Sequence, residues 1–555
     1  MSSDHIIFEE SATIDQPTVP FVDKDYAYVI DQNNGSYQSS QVIFDTSTLS
    51  GASSDRMISW RDAYIEIPVV MSLNGSGTGL GTTNIPFGCG LKNGYYQLIH
   101  SWSVEINGKS VTQLTPFSNL YMNFKCLTSW SKDDLNKWGA TCGVAKDNPL
   151  SFGFSAYGTA SAAGDGVYNN LNYGYDATSL NAVAPTETSN LGFLQRQREY
   201  CIDPTQAPWS NFISQSNAGT IGKSFHGGPT AGTYAGTNFR TWFMIAKIRL
   251  IDLSSDFFEK IPLVKGMSMR LTLNLNTGSQ VITRAAGTMV TATASTNIIG
   301  GTFPAMIASV AANNGCVGIT AVTDTLTLNI SIAKVSNSAL GANGVSHTSL
   351  SACRLYVPLY QMNPDFAAQL LSLGNKRKVT YTDILQYKIT NVSSTFNSLV
   401  TNGVTNPKRV IIVPFWSTSN TNAYSPLLSP FDPSPGTTTP LVALTQLNLQ
   451  LSGQNVWSLN ELYSYEQFIH ELSDSGINGG RTIGLGSGLL DQLDFETSYR
   501  YYVCNVGRRL PNDNKTPKSV QIMGTVAAAV ALDLYVFIEY ERECTVDIFT
   551  GEIDL

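Results

Sequence analysis

Short runs of alternating apolar and polar side chains recur from one end of this sequence to the other, and they confine it to sheet structure. Leu271-Thr272-Leu273-Asn274-Leu275 and Leu447-Asn448-Leu449-Gln450-Leu451 carry the pattern most cleanly. A period of two sends every second side chain to the same face, so each strand has one buried and one solvated side. Runs rich in β-branched and aromatic residues extend the reading to 41–46, 62–71, 97–106, 243–253, 267–275, 326–335, 353–360, 378–390, 409–415, 445–451, 499–505, 519–523, 532–540 and 544–549. Gly, Asn and Pro stand between them, as turns joining antiparallel strands require. Many short strands of this kind predict an all-β fold built of sandwiches, with few helices.

Three helices are predicted. Residues 364–373 (PDFAAQLLSL) begin with Pro at the first helical position behind a capping Asn363, and Gly374 follows their end. A second is expected over 459–472, capped by Ser458 with Glu461 three residues on. A shorter one is expected over 118–127. Between the strands, 139–237 is a long run of Gly, Ala, Asn, Tyr and Ser with little periodicity, and 278–323 is a second small-residue insertion. Loops this long are uncommon in compact domains unless they act at the surface.

The chain also echoes itself. Asp62-Ala63-Tyr64-Ile65-Glu66-Ile67-Pro68 is matched roughly 290 residues later by Cys353-Arg354-Leu355-Tyr356-Val357-Pro358-Leu359, each an apolar-aromatic strand with Pro near its end. Proline belongs at a strand end, an edge or a bulge. The spacing, about half the chain, suggests two similar sandwiches in tandem. The expected division is an N-terminal arm over 1–40, a first sandwich with long loop insertions over 41–345, and a second with the C-terminal segment over 346–555.

With 555 residues the chain is too long for one ordinary domain and can bury a core without disulfides or metals. Charged residues make up 14% of it, against a usual value of about 25%. Ser, Thr, Asn and Gly fill the gap, and an uncharged polar surface limits repulsion between copies in a dense assembly. An extracellular adhesive or carbohydrate-binding β-protein would share that composition. The net charge of −8 argues against nonspecific nucleic-acid binding by the whole surface. The opening MSSDHIIFEESA carries acids where a DNA-packaging arm would carry Lys or Arg, and it lacks the n- and h-regions of a signal peptide. Residues 523–540 are interrupted by Asp533 and rich in β formers, so no membrane span is expected there. The eight Cys, at 89, 126, 142, 201, 316, 353, 504 and 544, form no C-x-x-C pair. Reduced, mostly buried thiols and assembly inside a cell are the expectation.

Motifs that carry chemistry are missing or incomplete. There is no G-x-x-x-x-G-K-[ST] loop, and the Gly-rich stretches 75–81 and 484–488 precede no good helix. The five His, at 5, 100, 226, 347 and 470, have no metal-ligand spacing, and His100 reads as a packed strand residue. Phe225-His226-Gly227-Gly228 resembles an oxyanion loop but has no G-x-S-x-G to serve. Asp494, Glu496 and Asp533 are carboxylates of the kind any long chain contains. Sequons at Asn34, Asn74, Asn329, Asn391 and Asn514 match chance in so Ser/Thr/Asn-rich a chain. The aromatic stretch 168–175 (YNNLNYGY) could meet glycans but reads first as packing, and Lys376-Arg377-Lys378 reads as a solvated cluster after a helix. No catalytic, cofactor-binding or metal-binding residue is assigned, no cofactor is implied and no enzyme activity is expected.

Several segments in fixed order resemble the major capsid proteins of polinton-like viruses and virophages, within the double jelly-roll lineage. They are 60–71 (WRDAYIEIPVVM), 94–125 with GYYQLIHSWSVEING and TPFSNLYMNFK, and 245–276 (IAKIRLIDLSSDFFEKIPLVKGMSMRLTLNLN), which is the most specific. Residues 353–366 (CRLYVPLYQMNPDF) and 381–387 (YTDILQY) resemble the start of the family's second jelly roll, and 499–508 and 532–551 its closing strands. The insertions after Gly139 and Gly278 have no clear counterpart. The resemblance implies two tandem eight-stranded jelly rolls and a homotrimer that tiles an icosahedral shell around double-stranded DNA. It also implies location in the virion, minor capsid and penton partners, and host contact through outer loops. The segments 1–40 and 541–555 are candidates for bridging subunits.

Overall fold

The computed structural model describes residues 20–33, 37, 40–52, 56–76, 87–148, 152–154, 168–170, 191–196, 230–234, 237–284, 290–293, 299–309, 325–332, 352–372, 374–417, 427–428, 430, 443–476, 486–507, 516–527 and 531–555. In the first part of the chain the strands of the two main sheets are β1 (Phe21–Ile30), β2 (Gln41–Asp45), β3 (Tyr64–Ser76), β4 (Ile99–Ile106), β5 (Lys109–Ser110), β6 (Thr230–Tyr234), β7 (Thr237–Arg249), β8 (Met269–Leu275), β9 (Gly278–Arg284), β10 (Val290–Thr293), β11 (Thr325–Ile332) and β12 (Arg354–Met362), while Phe87–Leu91 pairs with Ala305–Ser309 and Phe152–Phe154 with Tyr168–Asn170. One sheet has the order β2-β8-β4-β5. The other is nine-stranded, in the order β1-β12-β3-β11-β9-β10, with β7 also on β3, β6 beyond it, and Met57–Ile58 against β12. The alternation in β8 is realised as read: Leu271, Leu273 and Leu275 are buried and Thr272 and Asn274 half-buried.

The later strands are β13 (Lys376–Val392), β14 (Thr395–Val404), β15 (Pro407–Trp416), β16 (Leu444–Leu451), β17 (Gln454–Asn455), β18 (Tyr502–Asn505), β19 (Lys518–Val526) and β20 (Leu532–Asp547). They pair as β13-β20-β15-β18 in one sheet and β14-β19-β16-β17 in the other. Numbered from β13, the sheets hold the first, eighth, third and sixth strands and the second, seventh, fourth and fifth. Strands outermost in sequence are neighbours in space, and the hairpins nest inward. That is the double Greek key of an eight-stranded jelly roll.

The first sandwich repeats the outer part of this nesting. There β2-β8-β4 corresponds to β13-β20-β15, and β3-β7 to β14-β19. Its inner part differs from the eight strands expected. Residues after β5 form two helices, α1 (Ser118–Ser129) and α2 (Lys132–Cys142), while β1, β9, β10, β11 and β12 widen one sheet.

Three expectations are corrected by the pairing. The 353–360 strand does not open the second sandwich; as β12 it lies between β1 and β3, with Arg354 opposite Glu66 and Tyr356 opposite Tyr64. The two echoing segments are therefore antiparallel neighbours in one sheet. Their likeness reflects a shared environment, and the real repeat is topological. The expected 1–40 arm contains β1, paired with β12 from Phe21 to Ile30. The expected strands 532–540 and 544–549 are one strand, β20, which then turns back so that Ile553–Asp554 pairs with it. The 541–555 segment is thus tied into its own chain.

Helix α3 (Pro364–Ser372) lies where predicted. Helix α4 (Tyr465–Asp474) starts later than the 459–472 reading, with Ser464, not Ser458, accepting the capping bond from the Gln467 N–H. Five described Cys (126, 142, 353, 504, 544) are buried and free. No described helix is long and apolar enough to cross a membrane.

Candidate functional site

The residues that do most to define this molecule sit where the two sandwiches join. β13 and β20 pair from Lys376–Asp547 to Val392–Leu532 and run through both cores. Val379, Tyr381, Cys544 and Val546 belong to the first core, and Ile384 and most of 532–540 to the second. The sequence Leu532-Asp533-Leu534-Tyr535-Val536-Phe537-Ile538-Glu539-Tyr540 is buried without alternation because both faces are covered.

Helix α1 supplies part of that cover. Met122 and Cys126, a turn apart, face the first core, whereas Leu120, Tyr121, Phe124 and Leu127 face the second. A helix apolar on two sides is one buried between layers. Its polar residues fasten both layers. Asn123 accepts from the Tyr96 hydroxyl at 3.1 Å and donates to the Tyr501 hydroxyl at 3.0 Å. The Tyr121 hydroxyl donates to Glu539 at 2.7 Å. Phe117, just before the helix, holds a left-handed backbone at φ 54°, a conformation that costs a non-glycine residue about 1–3 kcal/mol. Its ring lies edge-on to His100 at 4.9 Å and to Tyr535 at 4.8 Å, packing that holds the turn in place.

Buried charges complete the joint. Glu539, fully buried, accepts from the Arg409 guanidinium at 2.5 Å. Burial, then the Glu539 charge, pushes the Tyr121 phenol far above its usual range, so it stays a donor. Asp383 accepts from the Gln113 N–H at 3.2 Å, Tyr540 at 3.1 Å and Arg542 at 3.1 Å. Burial raises its carboxyl, and the Ile384 N–H and Arg542 work in the opposite direction. Lys146 donates to Leu489 O at 3.1 Å and pairs with Asp494. Burial pushes the Asp494 carboxyl up to about 6, with Lys146 opposing.

The sequence candidates fall into structural roles. His100 is packed in β4, its pKa lowered by burial. Asp494 also accepts the Asp491 N–H as half of a capping box on the helix Gln492–Thr497. Glu496 pairs with Arg500, and Asp533 meets Lys388 at 2.9 Å and the Asn391 N–H at 3.1 Å. Gly488, in the former phosphate-loop candidate, packs the chain onto the end of α1, where Leu489 N–H donates to Leu127 O at 2.8 Å. Lys376-Arg377-Lys378 opens β13, and Lys378 pairs with Glu543 across the strands at 2.8 Å. The 225–228 loop lies outside the described residues, as do 77–81 and 171–175.

A cavity of about 200 Å³ lies beside α1 and α2, lined in part by Cys126, Cys142, Arg249 and Asp252. Arg249 is engaged by Asp252 through bonds of 2.8 and 2.7 Å. Burial pushes the Cys142 thiol up to about 12 and raises Cys126 as well, so neither is a thiolate nucleophile near neutral pH. No cluster of three metal-ligating side chains occurs among the described residues.

Comparison with known proteins places similar chains among virus shells. The mavirus major capsid protein is similar at 10% identity and a TM-score of 0.43, over 95% of this chain and 89% of that one. The Faustovirus major capsid protein is similar at 10% identity and 0.43, over 96% and 92%. The PBCV-1 VP54 structure fitted into a reconstruction of the virophage Sputnik is similar at 9% identity and 0.40, over 98% and 99%. No family model and no curated protein sequence matches the chain.

Proposed function

We propose that the protein is a viral major capsid protein, a structural and non-catalytic subunit of a virion. In this reading it trimerises into pseudo-hexagonal capsomers that tile the icosahedral shell of a double-stranded DNA virus of the polinton-like or virophage kind. The observation that carries the reading is the fusion of a complete jelly roll to a second sandwich of the same nesting, through strands and a helix shared by both cores. Three copies of such a two-lobed chain, related by cyclic symmetry, give a hexagonal outline with contacts that close into a ring. A joint built of buried ion pairs and aromatic packing suits a subunit that must hold both lobes in one orientation.

The lobes in this reading are 20–362 and 376–555, with α3 between them. The insertions within 139–237 and 278–323 would carry host contact, and minor capsid and penton proteins would join the lattice. Assembly takes place inside the host cell. Residues 1–23 carry no Lys or Arg, so this segment is not one that grips DNA. Sedimentation of the purified full chain, followed by electron microscopy, tests the proposal. Trimers and shell-like particles are expected; a protein that stays monomeric at every concentration would refute it.

A further inference from the structure

An apolar surface lies uncovered at one edge of the nine-stranded sheet. Among the described strands β1 has a partner, β12, on one side only. Its outer backbone edge is of the kind proteins usually cover or blunt. Its side chains are exposed too: Tyr26 by 48%, Tyr28 by 56%, Val22 by 66% and Ile30 by 46%. The aromatic surface continues inward, with Tyr28 5.9 Å from Tyr356 and Tyr356 stacked on Tyr64 at 5.0 Å. Cations are set among the rings. Lys24 lies 5.4 Å from the Tyr26 centroid and Arg354 5.5 Å from that of Tyr28. Neither has a carboxylate at ion-pair distance among the described residues, whereas Lys247 nearby is matched by Glu66 at 3.6 Å.

Helix α3 follows β12 directly, beyond the Met362 end of that strand. It carries Leu371, exposed by 49%, with Phe366 and Leu370 half-buried. Nine residues are too few for a helix to stand on propensity alone, so its place depends on what packs against it.

The start of the chain supplies a cover of matching chemistry, and it emerges at this place. Pro20 O accepts from the Asn363 N–H at 3.0 Å, which fixes the entry to β1 beside the first turn of α3. Residues 1–19 contain Asp4, Glu9, Glu10 and Asp15, no Lys or Arg, and the apolar run Ile6-Ile7-Phe8. Carboxylates would meet Lys24 and Arg354, and the apolar run the tyrosines. Pro17 and Pro20 favour extended backbone at the residues just ahead of them. Extended, such a segment reaches roughly 60 Å, enough to cross onto a neighbour.

We propose that the tyrosine–cation face of β1, β12 and β3, with α3 beside it, takes residues 1–19 of a second copy of this chain. The inference rests on the reading of the protein as a self-assembling shell subunit and names surfaces that meet. To test it, the full chain is made with the photoreactive amino acid p-benzoylphenylalanine in place of Tyr28. It is mixed before assembly with isotopically heavy copies that lack the probe, then irradiated. The expected products join position 28 of a light copy to residues 1–19 of a heavy one. The double substitution Glu9→Lys/Glu10→Lys should reduce their yield at least tenfold and leave the thermal midpoint of the subunit unchanged. In sedimenting assemblies, products confined to one copy, products mapping elsewhere on the second copy, or no products at all would overturn the inference and leave the shell reading intact. A chain that never assembles would instead sink the shell reading, and this inference with it.

Discussion

The carboxylate of Glu539 has no contact with solvent, and Arg409 and Tyr121 meet it directly. Removing one partner of a buried pair leaves the other uncompensated, which typically costs about 3–5 kcal/mol. Arg409→Ala is therefore expected to destabilise the fold by about that much in urea denaturation. Replacing Arg409 and Glu539 together by Met should cost clearly less than the single change, and an equal or larger loss would contradict this account. Asp494 gives a pH test. Burial raises its folded pKa from 3.8 to about 6, so the folded state binds more protons than the unfolded one between those values. Its contribution to stability then falls as pH rises through that window and levels off above it. Calorimetry should find the wild type losing stability relative to Asp494→Asn over that range, and a flat difference would rule the assignment out. Neither partnership is legible in sequence, because Arg409 and Glu539 are brought together only by the pairing of β15 with β20.

At the scale of elements, α1 is a wedge whose C-terminal end is fixed by a close backbone approach. Gly488 has φ +68°, and a Cβ there would stand 2.4 Å from the Thr128 carbonyl oxygen. Gly488→Ala must shift the 487–490 segment away from the helix and is expected to destabilise by about 1–3 kcal/mol. A thermal midpoint equal to wild type would show that the approach is not needed. Elements with strong local signals were legible: β8 by alternation, α3 by its Pro and Gly borders, α1 by its apolar run. β14 was not, because its sequence TFNSLVTNGV lies at an exposed sheet edge and buries only Val404. α2 could have been found from its capping box, in which Ser131 and Asp134 exchange hydrogen bonds. Helix α4 starts later than read because Ser464, not Ser458, has its hydroxyl at the first free N–H groups.

For the whole molecule, shared strands should mean shared stability. β13 and β20 contribute to both cores, and Leu120, Tyr121, Phe124 and Leu127 of the first part of the chain pack into the second. The subunit is expected to unfold in a single calorimetric transition. Two well-resolved transitions would show that the lobes fold independently and that the joint is weak. Alternation along the chain and the spacing of turn residues already determined that this protein is made of sheets, because side-chain period and turn chemistry are local properties. Which strands are neighbours was decided only by the tertiary structure. The pair Tyr64 and Tyr356, alike in sequence context, reads along the chain as the mark of a duplication, yet in space they stack within one sheet. Alternation tells each strand which face to bury but not against what, and that choice is made by burial over long range, where nested hairpins close two cores around shared strands.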